Sequence, residues 1–146
     1  MTWETLFGIV NLIALLAWLP LVFAPRPRWL IPALRWGVVG GLCALYALLI
    51  ALALSGAFGA ADGPAPDFST IAGIRAIFAT DGGVVIGWTH YLAFDLMTGL
   101  WIASDADRIG MRRWVQVVPL ILCFLAGPAG LLLYLALSRA RRPVRL

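Results

Sequence analysis

The chain has 146 residues, 62% of them apolar and only 12% charged, with a mean hydropathy of +0.95. A soluble domain is about half apolar and a quarter charged, so this composition excludes one and specifies an integral membrane protein with room for a single bundle of crossings. The net charge of +4 rests on arginines alone, and most of them flank apolar runs. They read as headgroup anchors, with no water-facing basic fold for nucleic acid.

The first apolar run covers about 3–24 and stops at Pro25-Arg26-Pro27-Arg28, where proline breaks the helix and arginine meets headgroups. It lacks the positive start of a secretory leader, and Pro25 follows Ala24 where cleavage would fall, so the span is expected to be retained. No Arg- and Ser-rich transit segment precedes it. The second run begins near Pro32 and crosses over about 33–55, with Gly37, Gly40 and Gly41 as a thin face for close helix packing.

Gly56 to Phe68, with Asp62, Pro64, Pro66 and Asp67, is too polar to stay in the bilayer. Ser69 then caps a short helix whose Ile71, Ile74 and Phe78 share a face and lie along the interface. The third span covers about 83–104 and the fourth about 114–137, the latter with Gly127-Pro128 in its middle. The expectation is an all-α membrane protein, one domain over residues 1–146, with four transmembrane helices in one bundle and a short interfacial helix between the second and third.

Four crossings divide the arginines almost evenly. Arg26, Arg28, Arg35, Arg108, Arg112 and Arg113 fall on one side, and Arg139, Arg141, Arg142 and Arg145 on the other. A re-entrant last segment, bent at Gly127-Pro128, is the alternative that gathers all of them on one side. Cys43 and Cys123 sit in apolar runs without a CxxC partner and read as two buried thiols.

The polar residues of the third span ask for an explanation. His90 is the only histidine, and Asp95 lies five residues on, where an ionisable group costs roughly 2.5–3.5 kcal/mol at the bilayer centre. At 100° per residue, His90, Phe94, Met97, Trp101 and Asp105 form one stripe, and Trp88, Tyr91, Asp95, Thr98 and Ile102 another. His90 and Asp95 are then about 7.5 Å apart along the axis and about 140° apart around it, too divergent for a direct pair.

Each needs a partner elsewhere. Asn11, midway along the first span, is the leading candidate, ahead of Tyr46, Tyr91, Thr98 and Tyr134. A carboxylic acid and an imidazole make a serviceable acid and base; the plainer reading is interhelical hydrogen bonding. Asp105 and Asp107, beside Arg108, Arg112 and Arg113, read as a solvated loop, although the track from His90 through Phe94 and Trp101 to Asp105 would line a groove for a long apolar molecule. One histidine and scattered carboxylates do not make a metal site.

The run Gly87-Trp88-Thr89-His90-Tyr91-Leu92-Ala93-Phe94-Asp95-Leu96, followed by Gly99-Leu100-Trp101-Ile102 and Asp105, resembles the hallmark of the abscisic-acid-deficient-type, or neoxanthin-synthase-like, family of small membrane proteins. Pro119 and Gly127-Pro128-Ala129-Gly130-Leu131-Leu132 resemble that family's last span. The resemblance implies isomerisation of an epoxy-carotenoid to an allenic one. An epoxide opens while a neighbouring carbon loses its proton, with no redox cofactor. Asp95 as acid and His90 as base would meet those demands, with Asn11, Trp88, Tyr91, Phe94, Thr98, Trp101 and Asp105 around the substrate.

The lysine-free, Ala-, Leu- and Arg-rich composition points to a bacterial inner membrane, where the substrate would be a related isoprenoid, or there would be none. Expected partners are membrane lipid and an apolar, carotenoid-like ligand; the sequence names no protein partner or oligomer. A non-catalytic pigment- or lipid-binding subunit is the rival reading. Proton or ion transport would need polar residues on several spans, and the sequence supplies one such span and Asn11.

Overall fold

The computed structural model describes residues 2–58 and 67–139, so Asp62, Pro64, Pro66 and Arg141, Arg142 and Arg145 lie outside the described residues. Those described form six helices and no strand: α1 (Trp3–Phe23), α2 (Leu30–Leu54), α3 (Ile71–Ile77), α4 (Asp81–Arg108), α5 (Arg113–Leu125) and α6 (Gly127–Arg139). α1 and α2 are each long and apolar enough to cross a membrane; α3 and α4, taken as one unit bent by 98°, make a third.

α1 starts where the Thr2 hydroxyl accepts the Thr5 N–H, with Glu4 in the first turn complementing the helix dipole. Its buried residues, Leu6, Val10, Ala14, Ala17, Trp18, Leu21 and Val22, recur at intervals of three and four and form one stripe facing α4. Glycines in α4 let the aromatics of α1 in: Trp18 lies over Gly99 and Trp3 over Gly82, where a Cβ would meet each ring. α2 widens into a π-type turn over Leu34–Val39 before continuing as an α-helix. The thin glycine face expected there has no neighbour, since Gly37 and Gly41 face open space and Gly40 approaches only its own helix. Close packing through glycine belongs to α4 and α6 instead.

The short helix between the second and third spans exists, but its cap is Thr70, whose hydroxyl accepts the Gly73 N–H. Ser69 is occupied with Asp67. α4 runs four residues beyond the expected end. It opens on Thr80, which accepts the Gly83 N–H, and its following turn closes at Gly110 in the left-handed region (φ 67°).

The fourth span is the main correction. Residues 113–139 are two helices of 13 residues each, broken at Ala126 (φ −155°, ψ 74°), and they fold back on each other. Gln116 donates to Asp107 (2.8 Å) and Tyr134 donates to Asp105 (2.6 Å), so the start of α5 and the end of α6 lie beside the same end of α4. Cys123 Sγ sits 3.6 Å from the Asp95 carbonyl and Gly127 packs on the Asp95 carboxylate, so the turn lies beside the middle of α4. α5 therefore runs antiparallel to α4 and α6 parallel to it. Pro128 fits because the first turn of a helix needs no donor from it, and Gly130 fits because its face presses on the Cys123 backbone.

The core is layered accordingly. One layer, with Leu6, Val10, Leu42, Leu49, Val85 and Ala93, is built by α1, α2 and α4. The other adds Leu120, Cys123 and Tyr134 from α5 and α6 to Trp18, Leu21, Leu96 and Leu100. Of the two cysteines, Cys123 is buried as expected; Cys43 is exposed on α2.

Candidate functional site

The candidate site residues other than Asn11 belong to α4, and its neighbours decide what each one meets. His90 is exposed and sits among rings: stacked on Phe94 (centroids 4.6 Å, 28°), tilted on Tyr46 of α2 (5.4 Å) and edge-on to Tyr91 (6.3 Å). No side chain among the described residues hydrogen-bonds its imidazole. Asp95 points to the other flank, half-buried against the apex of the α5–α6 turn, where its carboxylate fills the space a Cβ on Gly127 would need. The two ionisable groups thus have separate surroundings, α2 for one and α6 for the other.

Asn11 partners neither of them. Its Nδ2 donates to the Phe7 carbonyl (2.7 Å) and its Oδ1 accepts the indole N–H of Trp88 (3.0 Å). This uses the amide to fix Trp88 against Phe7 (ring centroids 5.8 Å), so its role is positioning an aromatic side chain. Tyr46 does reach His90, through its ring face.

Between the flanks lies an open aromatic face. Tyr91 (57% exposed), Phe94 (61%), Met97 (38%) and Trp101 (41%) project outward along α4. Beside the far half, Met97, Thr98 and Trp101 join Leu131 and Leu135 of α6 around an open groove of about 450 Å³. Trp101 is held there by edge-on packing against the buried Tyr134 (5.5 Å, 90°).

Asp105, expected in a solvated loop, is instead 6% exposed, accepting from Tyr134 and Arg108. A buried carboxylate needs such donors. The groove's track from His90 past Phe94 and Trp101 thus ends at a polar cluster, about 22 Å from where it starts at 1.5 Å per residue.

A second polar cluster escaped sequence reasoning. Arg26, read as a headgroup anchor, has a side chain only 4% exposed and donates to the Leu21 and Ala103 carbonyls, to Asp107 (3.0 Å) and to Gln116 (2.6 Å). Burial lowers its guanidinium from the ordinary value, and Asp107 works against that shift. Gln116 completes the set by donating to Asp107 and to the Met111 carbonyl (2.8 Å each). The cluster ties the ends of α1 and α4 to the start of α5. Its only sequence signal is a glutamine inside an apolar run. No group of three or more His, Cys, Asp or Glu side chains among the described residues is placed to hold a metal.

A family model described as ABA DEFICIENT 4-like matches residues 5–134, a span that takes in α1, the whole of α4 and the turn at Gly127. No curated protein and no solved structure matches the chain.

Proposed function

Because the chain belongs to the ABA DEFICIENT 4-like family, we propose that it is a membrane-embedded isomerase of an epoxidised carotenoid or a related isoprenoid, which it holds along the open face of α4. The observation that carries this reading is the outward row Tyr91, Phe94, Met97 and Trp101, with His90 stacked on Phe94 within it and Asp95 at its edge toward the α5–α6 turn. A long apolar molecule is recognised by such a row, because aromatic faces stack on conjugated or ring carbons and the neighbouring groove excludes water.

The chemistry requires one proton delivered and one removed. His90 and Asp95 diverge too far to act on adjacent atoms, so the reaction is assigned to Asp95. Its carboxylic acid protonates the epoxide oxygen as the carbon–oxygen bond opens. The carboxylate so formed then takes the proton from the neighbouring carbon, whose electron pair becomes the new carbon–carbon double bond. The product is an isomer, the carboxyl is restored and no redox cofactor enters. His90, held between Phe94 and Tyr46, serves as a stacking surface that sets the substrate's register.

A second reading, a non-catalytic pigment- or lipid-binding subunit, is favoured by the groove at Met97, Trp101, Leu131 and Leu135, whose one polar lining residue is Thr98. The experiment that separates them is gentle purification of the full chain followed by mass spectrometry of the apolar compounds that accompany it, with pigment profiles of cells with and without the protein. Conversion to an isomer supports the enzyme. Bound pigment recovered unaltered, with an unchanged cellular profile, supports the binding subunit and rejects the isomerase.

A further inference from the structure

We infer that α5 and α6 form a re-entrant hairpin that enters the membrane from its arginine-rich side and turns back at mid-bilayer. The chain then crosses three times, and Asp95 is reached from the opposite, outer leaflet over the hairpin's apex. The topology stands on its own; the route to Asp95 rests on the isomerase site proposed above.

Length comes first. A helix of 13 residues is about 20 Å long, short of the roughly 30 Å hydrocarbon core. α4, with 28 residues, is long enough to cross, and the turn at Ala126-Gly127 lies beside its middle, at Asp95. Backbone can turn at that depth only where its polar groups are satisfied. Here the Ala126 N–H donates to Leu122 and the Ala129 and Gly130 N–H groups donate to Ala126, while Pro128 has no donor to satisfy.

Charge gives the direction. With three crossings, Arg26, Arg28, Arg35, Arg108, Arg112, Arg113 and Arg139 all lie at one end of the bundle. Arg75 stands at the other, among Glu4, Asp67 and Asp81. The nearly even division that four crossings impose becomes a strong bias, and the arginine-rich end faces the cytoplasm. Exposed Trp29, Trp36 and Trp114 mark the same end, as an interfacial aromatic belt does.

The route to Asp95 follows from what the hairpin leaves uncovered. In the half of the bundle that α5 and α6 do not reach, the buried apolar core among the described residues comes from α1, α2 and α4. There Trp88 and Tyr91 stand 41% and 57% exposed, one turn or two before Asp95. In the other half the hairpin closes that flank, with Cys123 and Gly127 against Asp95.

Cysteines introduced one at a time into the full chain carrying Cys43→Ser, with the buried Cys123 kept as the common background, expressed in bacteria and treated with a membrane-impermeant maleimide, test the topology. Ala79→Cys is expected to react in intact cells, and Arg28→Cys and Arg139→Cys only after the membrane is opened. Reaction of Arg139→Cys but not Arg28→Cys in intact cells means a fourth crossing and overturns the hairpin. Reaction of both, with Ala79→Cys protected, overturns the orientation.

For the route, an apolar carbodiimide is expected to modify Asp95, with the adduct absent in Asp95→Asn. Alkylating Tyr91→Cys with a bulky apolar maleimide should abolish that adduct, and alkylating Leu132→Cys, exposed on α6 outside the groove, should leave it. The reverse pattern, or no adduct in correctly inserted protein, overturns the route. Loss of pigment conversion with this labelling pattern intact rejects the isomerase reading alone.

Discussion

The Asp95 carboxylate fills the space that a Cβ at position 127 would need: any side chain there would overlap the carboxylate oxygens. This contact locks the apex of the α5–α6 turn to the middle of α4. It also sets where the carboxyl points, so packing and chemistry depend on the same missing methyl group.

Gly127→Ala is therefore expected to be costly. Overpacking a tight contact destabilises by roughly 1–3 kcal/mol, and here the displaced group is the proposed proton carrier. Thermal unfolding in detergent should show the loss and pigment conversion should fall with it. Gly41→Ala, where nothing lies within 4 Å, should change neither. Equal stability of the two variants would refute the locking contact.

What the sequence discloses and what it hides divide along the same helix. The i, i+3, i+4 stripe of α1 and the polar interruptions of α4 are legible because each faces one environment on one side and another on the other. Residues 114–137 are apolar apart from Gln116 and Tyr134, so hydropathy reads a single crossing as readily as two antiparallel helices. Only Gly127-Pro128, with Gly130 beside it, hints at the turn, and a glycine's neighbour is a tertiary fact. Asn11 is the leading partner for His90 or Asp95 by its depth and its amide's donor and acceptor, yet which way an amide faces depends on helix rotation, and it faces Trp88. Arg26 sits in a Pro-Arg-Pro-Arg loop that looks interfacial, because the carbonyls and carboxylate that bury it come from 77 to 90 residues away.

That cluster makes a second prediction. Arg26→Ala takes the guanidinium donor from the Leu21 and Ala103 carbonyls and from Gln116, while Asp107, 42% exposed, keeps its bond from Gln116, so a loss of about 1–3 kcal/mol is expected, the cost of leaving buried acceptors unsatisfied. Arg26→Lys should rescue little, because one ammonium cannot reproduce the guanidinium fork that bonds Leu21 through two nitrogens and Asp107 through a third. Unfolding midpoints of the two variants in the same detergent measure this. Full rescue by lysine would show that charge alone matters.

A pH effect is expected at the start of α3. Asp67 accepts from the Ser69 N–H and hydroxyl and from Thr70, and these bonds hold its carboxyl below the ordinary value. A depressed folded value gives stability that is complete above the unfolded carboxyl's range and is lost as pH falls through the folded one. The turn before α3 should be unchanged between neutral pH and about pH 5 and should loosen only below about pH 4. Hydrogen exchange at Ser69 to Gly73 reads it, and Asp67→Asn should remove the pH dependence. Loosening already near pH 6 would point to another group.

The roles given to His90 and Asp95 separate in one pair of variants. His90→Phe keeps a ring between Phe94 and Tyr46 and removes every exchangeable proton, so a stacking role predicts near-normal pigment binding and conversion reduced by no more than severalfold. Asp95→Asn keeps the shape against Gly127 and removes the acid, so it should bind pigment and convert none, a loss beyond the 10²–10⁴-fold typical of a positioned proton carrier. Liquid chromatography of pigment bound and pigment converted, measured on the same preparations, distinguishes the two. Abolished conversion in His90→Phe with binding intact would return the base role to the imidazole and require the substrate to bridge both flanks of α4. Unimpaired conversion in Asp95→Asn would leave the open face as a binding surface only.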